Sequence, residues 1–128
     1  MPKVLVVEDD ETTAMVLREL MRSVPCDFTE VKDGRMALDL IRKTRYDAIL
    51  LDLMLPEMSG EELLGCLNEE ANCKDLRIVI NSTSANFKWT KDKLRTFTNL
   101  RLQILPRPAD PDVIVSEMRK VLGILESA

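Results

Sequence analysis

Along this 128-residue chain, short unbroken apolar runs alternate with longer stretches whose apolar residues recur every three or four positions. Unbroken runs suit strands buried on both faces, and the three-to-four spacing suits helices with one apolar side. Lys3–Val7 reads as strand one. Thr12–Ser23 follows as a helix carrying Val16, Leu17, Leu20 and Met21 at helical spacing, and Pro25 ends it. Asp27–Val31 is a weaker second strand, and Asp33-Gly34 a turn. Met36, Ala37, Leu40 and Ile41 give a second helix its stripe, and Tyr46–Leu51 is strand three. Beyond Pro56, Ser59 with Glu62 three residues on forms the pattern of a capping box, ahead of Leu63, Leu64 and Leu67 on a third helix. Leu76–Ile80 and Leu102–Leu105 read as strands four and five. Asp110-Pro111 supplies an N-cap and a first-turn proline for a last helix, with Ile114, Met118, Val121, Leu122 and Leu125 on its buried side.

Strand and helix alternate five times, which predicts one α/β domain with a parallel sheet covered on both faces and right-handed crossovers. No linker, repeat or low-complexity segment divides residues 1–128. In such sheets ligands bind outside the carboxyl ends of the strands. Two runs end there in acid: Val4-Leu5-Val6-Val7 leads into Glu8-Asp9-Asp10, and Ala48-Ile49-Leu50-Leu51 into Asp52. If strands one and three are neighbours, their carboxylates repel unless a cation or a proton neutralises them. The pattern points to a hard-metal site with one carboxylate spare as a nucleophile.

Composition narrows this further. Hydrophobic residues make up 45% and charged residues 31%, enough for a core of ordinary soluble type. The net charge of −4 disfavours non-specific nucleic-acid binding. No apolar stretch approaches the ~20 residues of a membrane span, and no signal peptide is visible, so the chain reads as cytoplasmic. Histidine is absent, which excludes Ser-His and Cys-His catalysis, His-ligated zinc and a phosphohistidine on this chain. Cys26, Cys66 and Cys73 fit no zinc spacing and read as reduced, packed thiols.

The segment from Ile49 to Gly60, with Asp52, Pro56 and Ser59-Gly60, resembles the phosphorylation-site segment of bacterial response-regulator receiver domains. Val4–Asp10 resembles their acidic first strand end, about 44 residues upstream. The resemblance runs over the whole chain. It implies a flavodoxin-like, doubly wound five-stranded parallel sheet of order 2-1-3-4-5, and one receiver domain over 1–128. It further implies Asp52 as phosphoacceptor, taking its phosphoryl group from a histidine kinase, a phosphotransfer protein or a small phosphodonor. Glu8, Asp9, Asp52 and the Met54 backbone carbonyl would hold Mg²⁺. Asp10, the third acid of its run, reads better as a helix N-cap. Ser82 stands where the family has a Ser or Thr that bonds the phosphoryl group, although Thr83 and Ser84 remain alternatives and a helix-capping hydroxyl is a competing role. Met54 and Ser84 would flank the approach of hydrolytic water. As a signalling domain, the chain would have no enzymatic activity beyond its own phosphorylation and dephosphorylation.

Three positions depart from the family pattern. Arg107-Pro108 replaces Lys-Pro, so a planar fork stands where a compact ammonium contacts phosphate. Arg107 would still reach phosphate, or would merely pair with Asp52; the bond before Pro108 would be cis. The fourth-helix region holds Lys88, Lys91, Lys93, Arg95 and Arg101 against Asp92, a local charge of +4. Helix four, strand five and the last helix form the family's usual output face, so this stretch would meet an acidic downstream protein or be a solvated basic helix. A dimer through the same face is compatible with this reading. Ile104 stands in place of an aromatic switch residue.

Two other classes compete. A non-phosphorylated pseudo-receiver acting as a binding module is suggested by Arg107, the unusual fourth helix and the polar Asn81. An aspartyl phosphohydrolase of haloacid-dehalogenase type needs a second Asp two residues after the nucleophile, where this chain has Met54.

Overall fold

The computed structural model describes residues 1–81, 92–105 and 110–124. Five parallel strands form one sheet in the order β2-β1-β3-β4-β5. They are β1 (Lys3–Val7), β2 (Asp27–Val31), β3 (Ala48–Leu51), β4 (Arg77–Ile80) and β5 (Arg101–Ile104). Helices α1 (Glu11–Arg22), α2 (Gly34–Lys43) and α3 (Gly60–Glu69) connect them, a short 3₁₀ turn (Ala71–Cys73) follows α3, and a C-terminal helix (Pro111–Val121) closes the chain. This is the flavodoxin-like arrangement, with helices on both faces.

The alternation of side chains along each strand sorts the core into two layers. Leu5, Val7, Ile49, Leu51, Ile78 and Ile80 pack with Ala37, Leu38 and Ile41 of α2 and with Leu63, Leu64 and Leu67 of α3. Val4, Val6, Leu50 and Val79 pack with Leu17 and Met21 of α1 and with Ile114 and Met118 of the C-terminal helix. Burial on both faces explains the unbroken apolar runs of β1 and β3. Edge strand β2 is buried only at Val31, which is why its sequence signal is weak.

Two expected helix faces need correction. Val16 and Met36 are exposed, and Ala14 and Leu38 take the buried positions with Leu17, Met21, Ala37 and Ile41. The buried arc of each helix is rotated from the expected stripe, so Val16 and Met36 fall on its solvent margin. Strand three begins at Ala48 rather than Tyr46, although Asp47 N–H still donates to the Lys3 carbonyl at 2.8 Å. Strand five begins one residue early, and Leu105 N–H extends its ladder to the Ile80 carbonyl at 3.0 Å.

The caps follow local chemistry. Asp10 accepts from Thr13 N–H at 2.9 Å, Asp33 from Met36 N–H at 2.8 Å and Ser59 from Glu62 N–H at 3.2 Å. The Glu62 carboxylate meets the Ser59 hydroxyl at 3.5 Å. Asp110 holds the N-cap position with Pro111 behind it, but its carboxylate makes no capping bond. All three cysteines are free; Cys26 and Cys73 are buried, and burial pushes both thiols above their ordinary range. Leu125 lies outside the described residues.

Candidate functional site

Strand register decides which acids meet. Val7 lies opposite Leu51, and Leu51 opposite Ile80. The ladders run one step past the strands: Asp52 N–H donates to the Val7 carbonyl at 3.0 Å and Asn81 N–H to the Leu51 carbonyl at 2.9 Å. Glu8 N–H is held by the Val31 carbonyl at 3.1 Å. Glu8, Asp52 and Asn81 therefore line up across the carboxyl edge of the sheet.

Carboxylate oxygens of Glu8, Asp9 and Asp52 all lie within 4.8 Å of one another. Their exposure is graded, with Glu8 buried, Asp52 half-buried and Asp9 open to solvent. Burial, then the hydrogen bond and charge of Asp52, push the Glu8 carboxyl from 4.5 up to about 8. The cluster as it stands thus retains a proton that a divalent cation would displace. Mg²⁺ prefers one or two carboxylates with several waters, and an acidic cluster at a water-accessible edge offers both, so the residues present fit that ion. Asp10 is not part of the group; the Thr13 hydroxyl and N–H hold its carboxyl below the usual range, as befits an N-cap.

The loop after β3 orients Asp52. Met54 N–H donates to Asp52 Oδ1 at 3.0 Å, fixing the orientation of the carboxylate. The Met54 side chain is exposed. Gly60 N–H returns to the Leu53 carbonyl at 2.9 Å, clamping the start of α3 onto this loop. A Cβ on Gly60 would lie 2.5 Å from Leu53 Cα and 2.9 Å from the Asp52 carbonyl oxygen, so only glycine permits the approach. Glu57, at φ 62°, turns the chain between Pro56 and Ser59.

Structure brings together four of the positions expected from the sequence: Glu8, Asp9, Asp52 and Met54. Ser82, Thr83, Ser84, Arg107 and Pro108 lie outside the described residues, as do Lys88 and Lys91. Ile104 is half-buried beside Leu94, Phe97 and Leu102, around a groove of about 440 Å³. The rest of the basic stretch is less free than its local charge implied. Lys93 meets Glu61 at 3.9 Å, Arg95 meets Asp92 at 3.6 Å and Arg101 meets Asp75 at 3.3 Å. Sequence reasoning quoted Gly60 without seeing its packing role; its signal was a glycine directly after a capping serine. From sequence Asn81 is only a polar end to an apolar run, whereas in the fold it is 4% exposed with no partner for its Oδ1.

Residues 4–119 match the family model described as the response regulator receiver domain. The polar-differentiation response regulator DivK of Brucella anthropi is 34% identical over 96 residues, spanning 74% of this chain and 77% of that protein. Hybrid signal transduction histidine kinase L of Dictyostelium discoideum is 33% identical over 99 residues, but the match covers only 6% of its length. Among solved structures, chemotaxis response regulator CheY4 of Vibrio cholerae superposes with a TM-score of 0.82 at 24% identity, covering 95% of this chain and 99% of that one. The receiver domain of sensor histidine kinase PA1611 from Pseudomonas aeruginosa, solved with a magnesium ion in its active-site cleft, gives 0.81 at 24% identity, over 95% and 98%. With its sheet order, its acidic edge and these matches in agreement, the chain belongs to the response regulator receiver domain family of two-component signalling.

Proposed function

We propose that this receiver accepts a phosphoryl group on Asp52 from the phosphohistidine of a histidine kinase or phosphotransfer protein, in a Mg²⁺-dependent reaction. The supporting observation is the convergence of Glu8, Asp9 and Asp52 within 4.8 Å at the carboxyl edge of the sheet. Glu8 and Asp9, with Asp52 and the Met54 carbonyl, would hold the ion, whose charge offsets that of the incoming phosphoryl group.

Asp52 does the covalent work. A carboxylate oxygen attacks phosphorus, the bond from phosphorus to the donor imidazole breaks, and the electron pair leaves with the imidazole, which takes a proton. Met54 N–H holds the carboxylate and so orients the attack. Water later cleaves the acyl phosphate, returning the Asp52 carboxylate and inorganic phosphate; in family order, Met54 and Ser84 would flank its approach. In family order, Ser82 and Arg107 would contact the phosphoryl oxygens, Arg107 through a bidentate fork. The added charge would shift the population of the face around strand five and the C-terminal helix, and with it the binding of a downstream protein in the cytoplasm. Residues 1–128 act here as one receiver domain.

Incubation with labelled acetyl phosphate tests the proposal. Label should enter only with Mg²⁺ present, and Asp52→Asn should abolish it. Absence of label in the wild-type chain at millimolar Mg²⁺ would refute it and favour a pseudo-receiver.

A further inference from the structure

Asn81 is out of place for a core residue. It continues the apolar run Arg77-Ile78-Val79-Ile80, is 4% exposed, and its Oδ1 is sealed from solvent without a hydrogen-bond partner. Buried carbonyl oxygens almost always have a partner, because desolvation without one is costly. A Val or Leu here would fill the space without leaving a bare acceptor, so Oδ1 gives the unloaded core nothing.

Its position supplies a reason. Val6, Leu50 and Val79 share one layer of the core. Two residues on, with the period of a strand, come Glu8, Asp52 and Asn81. The backbone bonds from Asp52 to Val7 and from Asn81 to Leu51 carry the ladder to that point. Asn81 thus stands beside Asp52 on the face where the acids converge, one strand further from Glu8. It is a neutral group on the sheet edge that carries the three carboxylates, and its orphan atom is an acceptor. An ionised carboxylate has no donor to offer that atom. A Mg²⁺ ion held by few carboxylates keeps several waters, each a donor. The last side-chain torsion is soft in Asn, so the carboxamide can reorient when a donor becomes available.

We infer that Asn81 is a positioning residue of the acidic site, whose side-chain carbonyl gains its hydrogen bond from the hydration shell of the bound cation. This rests on the Mg²⁺ site proposed above and adds to it a residue outside the acidic motifs. Groups in this outer position commonly change metal affinity 10- to 100-fold.

The test compares the full chain with Asn81→Thr and Asn81→Val, two side chains of one shape that differ by a hydroxyl. Mg²⁺ binding is read by calorimetry and the metal-free melting temperature by circular dichroism. Asn81→Val should melt higher without metal yet bind Mg²⁺ about tenfold more weakly, and Asn81→Thr should stay within about threefold of wild type. A purely structural role would move the melting temperature alone. Equal Mg²⁺ affinities for all three chains would overturn the inference and leave the phosphoacceptor reading standing, whereas a wild-type chain that binds no Mg²⁺ would overturn both. Failure of Asn81→Val to fold would show that the metal-free core needs the carboxamide, and would also overturn the inference.

Discussion

Replacing Glu8 by Gln should abolish a pH dependence that the acidic edge builds into folding. Glu8 is 5% exposed, and it retains a proton up to about pH 8 because burial and the neighbouring Asp52 both oppose its charge. The unfolded chain releases that proton near 4.5. A proton held by the folded state and lost from the unfolded one favours folding. That contribution is complete below pH 4.5 and is lost as the pH rises through about 8, so the metal-free protein weakens over this window. At ~1.4 kcal/mol per pH unit, a rise from 4.5 to about 8 corresponds to at most ~5 kcal/mol. Solvent reaches the cluster through exposed Asp9, and screening there reduces the expected effect to about 2 kcal/mol. Gln keeps the shape and a hydrogen-bonding amide but does not ionise. Urea unfolding followed by circular dichroism at pH 5.5, 7 and 9 in chelator should show the wild-type chain losing stability with pH relative to Glu8→Gln. Groups common to both chains cancel in the difference. Adding Mg²⁺ at pH 9 should restore the wild-type chain and leave the variant nearly unchanged. Parallel pH profiles in chelator would refute the argument that Glu8 is the group the edge keeps protonated.

Three further expectations concern the frame that holds this edge. Gly60→Ala should cost about 1–3 kcal/mol in urea unfolding and weaken Mg²⁺ binding as well, since its methyl would push the Asp52–Leu53 backbone from the start of α3; unchanged Mg²⁺ affinity would separate the clamp from the site. Leu64→Ala, at a position with no exposed surface, should cost about 2–5 kcal/mol in the same assay, and less than 1 kcal/mol would contradict the packing of α3 on the sheet. Asp33→Ala removes the 2.8 Å cap on Met36 N–H and should cost about 1 kcal/mol, with Asp33→Asn nearly neutral; equal losses for both variants would argue against a capping role.

Element order and fold class were legible because the two hydrophobic periods differ sharply, and because each helix start carries its own cap, as at Asp10, Asp33 and Ser59. Periodicity located the helices but misjudged their faces. Val16 and Met36 lie at the margins of apolar stripes, and only the packing of each helix on the sheet settles which margin is covered. In the site, the acids at the ends of β1 and β3 could be found from residue type and position alone, and Asp10 could be set apart as a cap.

What the chain determined by itself was therefore local: which residues form strands and helices, and that acids close two of the strands. Tertiary structure decided everything that depends on distance and dielectric. The register of Val7 with Leu51 brings Glu8 to Asp52, separated by 44 positions, and burial then raises the Glu8 carboxyl to about 8. The register of Leu51 with Ile80 sets Asn81 beside them without a partner for its Oδ1. Charge repulsion and desolvation are properties of separations in space, and in a parallel sheet residues distant along the chain become neighbours only when the strands pair.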